Sequence, residues 1–124
     1  MPNVFESFKK SLTRLKEIIT APDTPANRDS TIQRFEFTYE LAWKSIQKYL
    51  RDQNVIALTP RDCFMEAFHI GLITDDERWL QMGKDRNMTV HTYNEFFAEQ
   101  VYTRVHTYVE LFTTLEQSLE TKIV

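Results

Sequence analysis

Apolar residues recur along most of this chain at intervals of three and four, the repeat of an α-helix buried on one side. The first run spans about Asn3 to Thr20, where Phe5, Phe8, Leu12, Leu15 and Ile19 form one stripe. Lys9, Lys10, Arg14, Lys16 and Glu17 fill its other faces. The segment APDTPANRD ends it, because Pro22 and Pro25 exclude a continuous helix. A second run begins near Pro25–Ser30 and reaches about Asp52, with Ile32, Phe35, Tyr39, Ala42, Trp43, Ile46, Tyr49 and Leu50 on its apolar face. Phe37 and Leu41 add a flank, so this helix is expected to be covered on more than one side, by neighbouring helices or by another subunit.

Asn54–Leu58 reads as a connection. A short third helix follows, with Thr59 as N-cap, Pro60 at the first position, Asp62 three residues after the cap and Gly71 as its stop. Thr74-Asp75-Asp76-Glu77 has the form of a capping box and predicts the start of a fourth helix, on which Trp79, Met82, Arg86 and Val90 share a face. Gly83 inside it costs about 1 kcal/mol relative to Ala, which close packing against a neighbouring helix would explain. The last helix is predicted from an Asn94 N-cap to about Thr121. Its residues Val101, Val105, Tyr108, Phe112, Leu115 and Leu119 alternate steps of four and three, a heptad seam that Phe97 extends backwards. The expectation is an all-α protein: a four-helix up-and-down bundle with one additional short helix, in a single domain over residues 1–124.

Composition changes this picture little. Of 124 residues, 42% are hydrophobic and 27% charged, within the range of a globular domain, and two Gly with four Pro favour long helices over turn-rich sheets. The net charge of −3 gives no global attraction to nucleic acid, so any attraction for RNA has to be local. Cys63 stands alone, which excludes an internal disulfide, suits a reducing compartment and reads as a small buried hydrophobe. With no secretory signal and no apolar run long enough for a bilayer, the expected location is the cytoplasm. His69 reads as structural or solvent-facing, and His106 as solvent-facing. The three His and one Cys lack metal-ligand spacing, and the two Gly form no phosphate-cradling loop, so no cofactor is expected.

Candidate chemistry concentrates in Trp79–Tyr93, WLQMGKDRNMTVHTY. Arg86 and His91 stand five positions apart, and Tyr93 follows His91 by two. An imidazole suits proton transfer near neutral pH, and a guanidinium binds two oxygens of a phosphate at once. Asn87 can hold the phosphate or orient the histidine, and the N-terminus of the last helix near Asn94 would direct backbone N–H groups to the same place. In an unbroken helix, however, a five-residue step leaves two side chains roughly 140° apart and about 7.5 Å along the axis. Either the helix unwinds near Thr89–Thr92, or two copies of the motif face each other across a symmetric interface. The plainer alternative is a solvated helix end with an Arg86–Asp85 surface pair and a His91 favoured by the helix dipole. Asp85 and the acidic start of the fourth helix would oppose phosphate binding.

The string W-x2-M-x3-R-N-x3-H-T-Y, together with FEFTYELAWKSIQKYL over Phe35–Leu50, resembles the HEPN superfamily. The likeness is strongest to HepT toxins and the related nucleotidyltransferase substrate-binding proteins. It implies a helical bundle that dimerises, with Arg86 and His91 lining a dimer cleft that cleaves RNA; the chemistry of the residues adds Asn87 to that site and needs no metal ion. It also implies a cognate partner, a minimal (MNT-type) nucleotidyltransferase acting as antitoxin, and makes Tyr93 the acceptor of AMP that silences the RNase. The same features serve an alternative, a non-catalytic substrate-binding subunit of a two-component nucleotidyltransferase. For Tyr93 the plain alternative is packing at the helix junction with its hydroxyl in water.

Overall fold

The computed structural model describes residues 3–74 and 76–123. Five helices follow in order: α1 (Val4–Ile18), α2 (Pro25–Asp52), α3 (Pro60–His69), α4 (Arg78–Met88) and α5 (Glu95–Ile123), with a 3-10 turn at Thr89–His91 between the last two. Among the described residues there is no strand, so the all-α expectation holds.

Most helix ends follow from their cap residues. Asn3 accepts the Glu6 backbone N–H at 2.8 Å, Thr24 that of Asn27 at 3.1 Å, and Thr59 that of Asp62 at 3.1 Å. Two helices close with the same C-terminal device. After α3, Gly71 takes a φ of +78° while Leu72 N–H bonds back to the Ala67 carbonyl at 2.8 Å. After α2, Asn54 takes a φ of +63° and Val55 N–H returns to the Leu50 carbonyl at 2.8 Å. Both satisfy carbonyls that the helix would otherwise leave open.

Helix α4 departs from its expected bounds. It starts at Arg78, not at Thr74, and Asp76 supplies the cap by accepting the Arg78 N–H at 2.9 Å. Asp75 of the expected capping box lies outside the described residues. Asp76 also grips the Arg78 guanidinium at 2.7 Å, and Arg78 reaches on to Glu110 and to the Thr107 carbonyl of α5. A short polar segment tied to α5 replaces the first helical turn. At the other end Val90, expected on the buried face, is 68% exposed because the chain has already left the α-helix.

Helix α2 is central, packing against each of the other four helices. Its buried residues from Ile32 to Leu50 join the core shared with those helices. The α5 seam is buried throughout, from Val101 to Leu119. Phe112, fully buried, sits among Phe8, Phe35 and Trp79 with ring centroids 6.0–6.4 Å away. Replacing such a residue by Ala costs about 3–5 kcal/mol. Gly83 lets α4 approach α2, since a Cβ there would lie 3.2 Å from the Tyr39 hydroxyl. The flank expected on α2 is only partly covered, with Phe37 47% exposed and Leu41 half-buried. No helix among the described residues is long and apolar enough to cross a membrane.

Candidate functional site

Two neighbouring residues of α4 have opposite surroundings. Asp85 points inward and is 1% exposed. Arg104 of α5 binds it with two donors, at 2.8 Å and 2.6 Å, the Tyr108 hydroxyl donates to it as well, and Gln81 adds a bond at 3.2 Å. Burial and the bond to Asp85 push the Tyr108 phenol well above its ordinary range, and the same carboxylate raises Arg104. The expected surface pair with Arg86 is therefore corrected: Asp85 ties α4 to α5, and its charge is spent there rather than opposing a phosphate. Asp76, at the start of α4, is likewise held below the usual carboxylate range by the hydrogen bond from the Arg78 side chain.

Arg86 turns the other way, toward α2. Its nearest anions are Glu40 at 3.5 Å and Glu36 at 3.7 Å, and its Nη1 donates to Thr89 Oγ1 at 3.3 Å. These are long contacts, and Nε is buried without a hydrogen-bond partner. Glu36 and Glu40, one helical turn apart, were not among the residues singled out from sequence. Their spacing on the polar side of α2 was the available signal.

The chain then changes conformation between Arg86 and His91. Thr89 closes α4 by donating its hydroxyl to the Arg86 carbonyl at 2.7 Å, and Thr92 and Asn94 hold the 3-10 turn through bonds to the Thr89 and His91 carbonyls. Of the two geometries open from sequence, the unwinding near Thr89–Thr92 is the one the single chain displays. It leaves His91 exposed and Tyr93 83% exposed, with the Tyr93 hydroxyl 3.5 Å from His91 Nδ1 and the rings edge to face. Asn87 is also exposed. Among the described residues Arg86 and His91 share no hydrogen bond.

The expected anion site at the start of α5 is largely used up. Asn94 Oδ1 accepts the backbone N–H of Phe96 at 2.9 Å and of Phe97 at 3.4 Å, and Glu95 adds negative charge. Among the described residues no three His, Cys, Asp or Glu side chains converge as a metal would need. Cys63 is buried and its thiol is pushed up to about 11, by burial first and Asp62 second. His69 and His106 face solvent as expected, His69 at 3.8 Å from Glu66.

A family model described as nucleotidyltransferase substrate binding protein like matches residues 3–121. The chain belongs to that family. It is 35% identical over 92 residues to a probable ribonuclease HepT of Haemophilus influenzae, a match covering 69% of this chain. The chain spans 63% of the length of that curated relative. A Thermus thermophilus crystal structure matches with a TM-score of 0.85 at 38% identity, over 90% of this chain and 98% of the other. The Haemophilus influenzae protein HI0074, whose fold is described as that of a substrate binding domain of a nucleotidyltransferase, matches with a TM-score of 0.73 at 25% identity, over 94% of each chain. The expected kinship with HepT-like proteins of the HEPN superfamily thus holds, carried by a match over nearly the whole chain.

Proposed function

We propose that this protein is a HepT-like endoribonuclease whose cleavage site is built from Arg86, His91 and Asn87. The supporting observation is the break of α4 between Arg86 and His91, which leaves the imidazole in solvent while the guanidinium keeps unspent donors. His91 removes the proton of a ribose 2′-hydroxyl, whose oxygen attacks the adjacent phosphorus. Arg86 offsets the charge gathering on the phosphoryl oxygens, and Asn87 donates to one of them. The 5′-oxygen departs with a proton from an imidazolium, that of His91 in a second copy of the chain, and a 2′,3′-cyclic phosphate remains. Two copies meeting across α2 and α4 bring both motifs into one cleft and cover Phe37.

Regulation follows from the same geometry. A nucleotidyltransferase partner, as implied by the family, transfers AMP from ATP to the Tyr93 oxygen, which loses its proton as pyrophosphate departs. That oxygen lies 3.5 Å from His91 Nδ1, so the new phosphodiester pairs with the imidazole and occupies the space a substrate phosphate needs. A second reading is favoured by the engagement of Arg86 with Glu36 and Glu40: a non-catalytic subunit that binds substrate for the nucleotidyltransferase, with Arg86 neutralised. Cleavage assays separate the two. His91→Ala and Arg86→Ala should each abolish RNA cleavage while the helical circular dichroism spectrum is retained, and undiminished cleavage by either variant overturns the nuclease. With the partner and ATP, intact mass should rise by one or more AMP units, and Tyr93→Phe should remove the increment.

A further inference from the structure

 

A groove of about 730 Å³ lies between α2, α3 and α4, and a second, of about 420 Å³, between the starts of α2 and α5. The two differ in charge. The smaller one is lined by Asp23, Asp29, Glu95 and Glu99 against a single cation, Arg28, and suits no anion. The larger one carries Arg61, Lys84 and Arg86 against a single carboxylate, Glu40, on a chain whose net charge is −3. Its floor is apolar, formed where Phe64 and Trp79 stack with ring centroids 4.8 Å apart and where Leu80, 61% exposed, overhangs them. Gly83 keeps the floor open, since any side chain there would project toward Tyr39.

An apolar floor with a cationic rim fits a flat base joined to a phosphate. We propose that this groove is a nucleotide subsite, seating one base of single-stranded RNA on the Phe64–Trp79–Leu80 floor and the phosphate beside it among Arg61, Lys84 and Arg86. Arg86 and Asn87 belong to the groove as well as to the proposed cleavage site, so the seated nucleotide adjoins the phosphodiester to be cut. The choice of RNA as the ligand rests on the nuclease reading; the groove's affinity for a nucleotide does not.

The test uses AMP as probe and Trp79 as reporter. The chain has two Trp, so Trp43→Phe leaves Trp79 as the sole emitter, and adding His91→Ala removes cleavage from the measurement. AMP should change Trp79 emission saturably, adenosine should bind more weakly, and inorganic phosphate should leave the emission unchanged. Lys84→Glu or Arg61→Glu should weaken AMP binding about tenfold, the loss of one charge-assisted hydrogen bond. Unchanged emission with AMP, equal binding of adenosine and AMP, or undiminished affinity in both charge-reversed variants overturns the subsite. Cleavage by the wild type without AMP binding removes the subsite and leaves the nuclease; AMP binding by a wild type that cuts no RNA supports the subsite and removes the nuclease.

Discussion

Asp85 and Arg86 are adjacent in sequence and carry opposite charges, yet the fold treats them differently. Asp85 is enclosed, with Arg104, Tyr108 and Gln81 all donating to it. Arg86 faces two glutamates at 3.5 Å and 3.7 Å and leaves a buried Nε–H without an acceptor. A charge whose hydrogen bonds are complete holds helices together. A charge held only by long contacts, with its side chain 30% exposed, can still turn toward a ligand.

The largest effect that would break this contrast is on activity. Arg86→Ala or His91→Ala should lower RNA cleavage by about 10²–10⁴-fold, the usual contribution of a positioned acid–base or charge-stabilising group. Neither should shift the melting temperature by more than about 2 °C, because His91 is exposed and the contacts of Arg86 with Glu36 and Glu40 are long and partly solvated. Asp85→Asn should do the reverse on stability. It leaves Arg104 and Tyr108 facing an uncharged amide, and because Arg104 keeps some contact with water the cost should be about 2–4 kcal/mol. For a chain of this length that lowers the melting temperature by about 10 °C, measurable by thermal unfolding.

Alkaline titration sharpens the picture at α2. Burial pushes the Tyr39 phenol up to about 12. The folded chain thus keeps a proton that the unfolded chain releases near pH 10, so stability is fully present below about pH 10 and falls as pH rises toward 12, by up to about 1.4 kcal/mol per unit for this one group. Tyr108, raised in the same direction, adds to the decline. Urea unfolding across that range should show a shallower slope for Tyr39→Phe. The smallest effect concerns the approach of α4 to α2. Gly83→Ala should be close to neutral alone, as gained helix propensity offsets the 3.2 Å contact with the Tyr39 hydroxyl, and should stabilise by about 1 kcal/mol once Tyr39→Phe has removed that oxygen.

Which parts of this were legible in the sequence follows from the range of the interactions. The α1 and α5 stripes, the Thr59 cap and the Gly71 stop depend on contacts within a turn or two, and each stands where its pattern places it. Pattern alone does not fix the start of α4, because Asp76 can cap a helix as well as Thr74 can, and the bonds from Arg78 to α5 favour the later start. Asp85 looks like a surface charge in the sequence because its partners lie 19 and 23 residues away on α5. Tyr108 gave a hint, since a tyrosine in a buried seam needs a partner for its hydroxyl. In the candidate site, the motif named Arg86, Asn87, His91 and Tyr93, whereas Glu36 and Glu40 emerge only when α2 and α4 are packed together.

The central claim is that His91 and Arg86 cut RNA by attack of a 2′-oxygen. The most direct measurement is the mass of the fragments released by the purified wild-type protein, set beside those from His91→Ala. The account predicts fragments ending in a 2′,3′-cyclic phosphate or its hydrolysed form with the wild type and none with the variant. Fragments ending in a 3′-hydroxyl, or the same fragments at the same rate from His91→Ala, would contradict it.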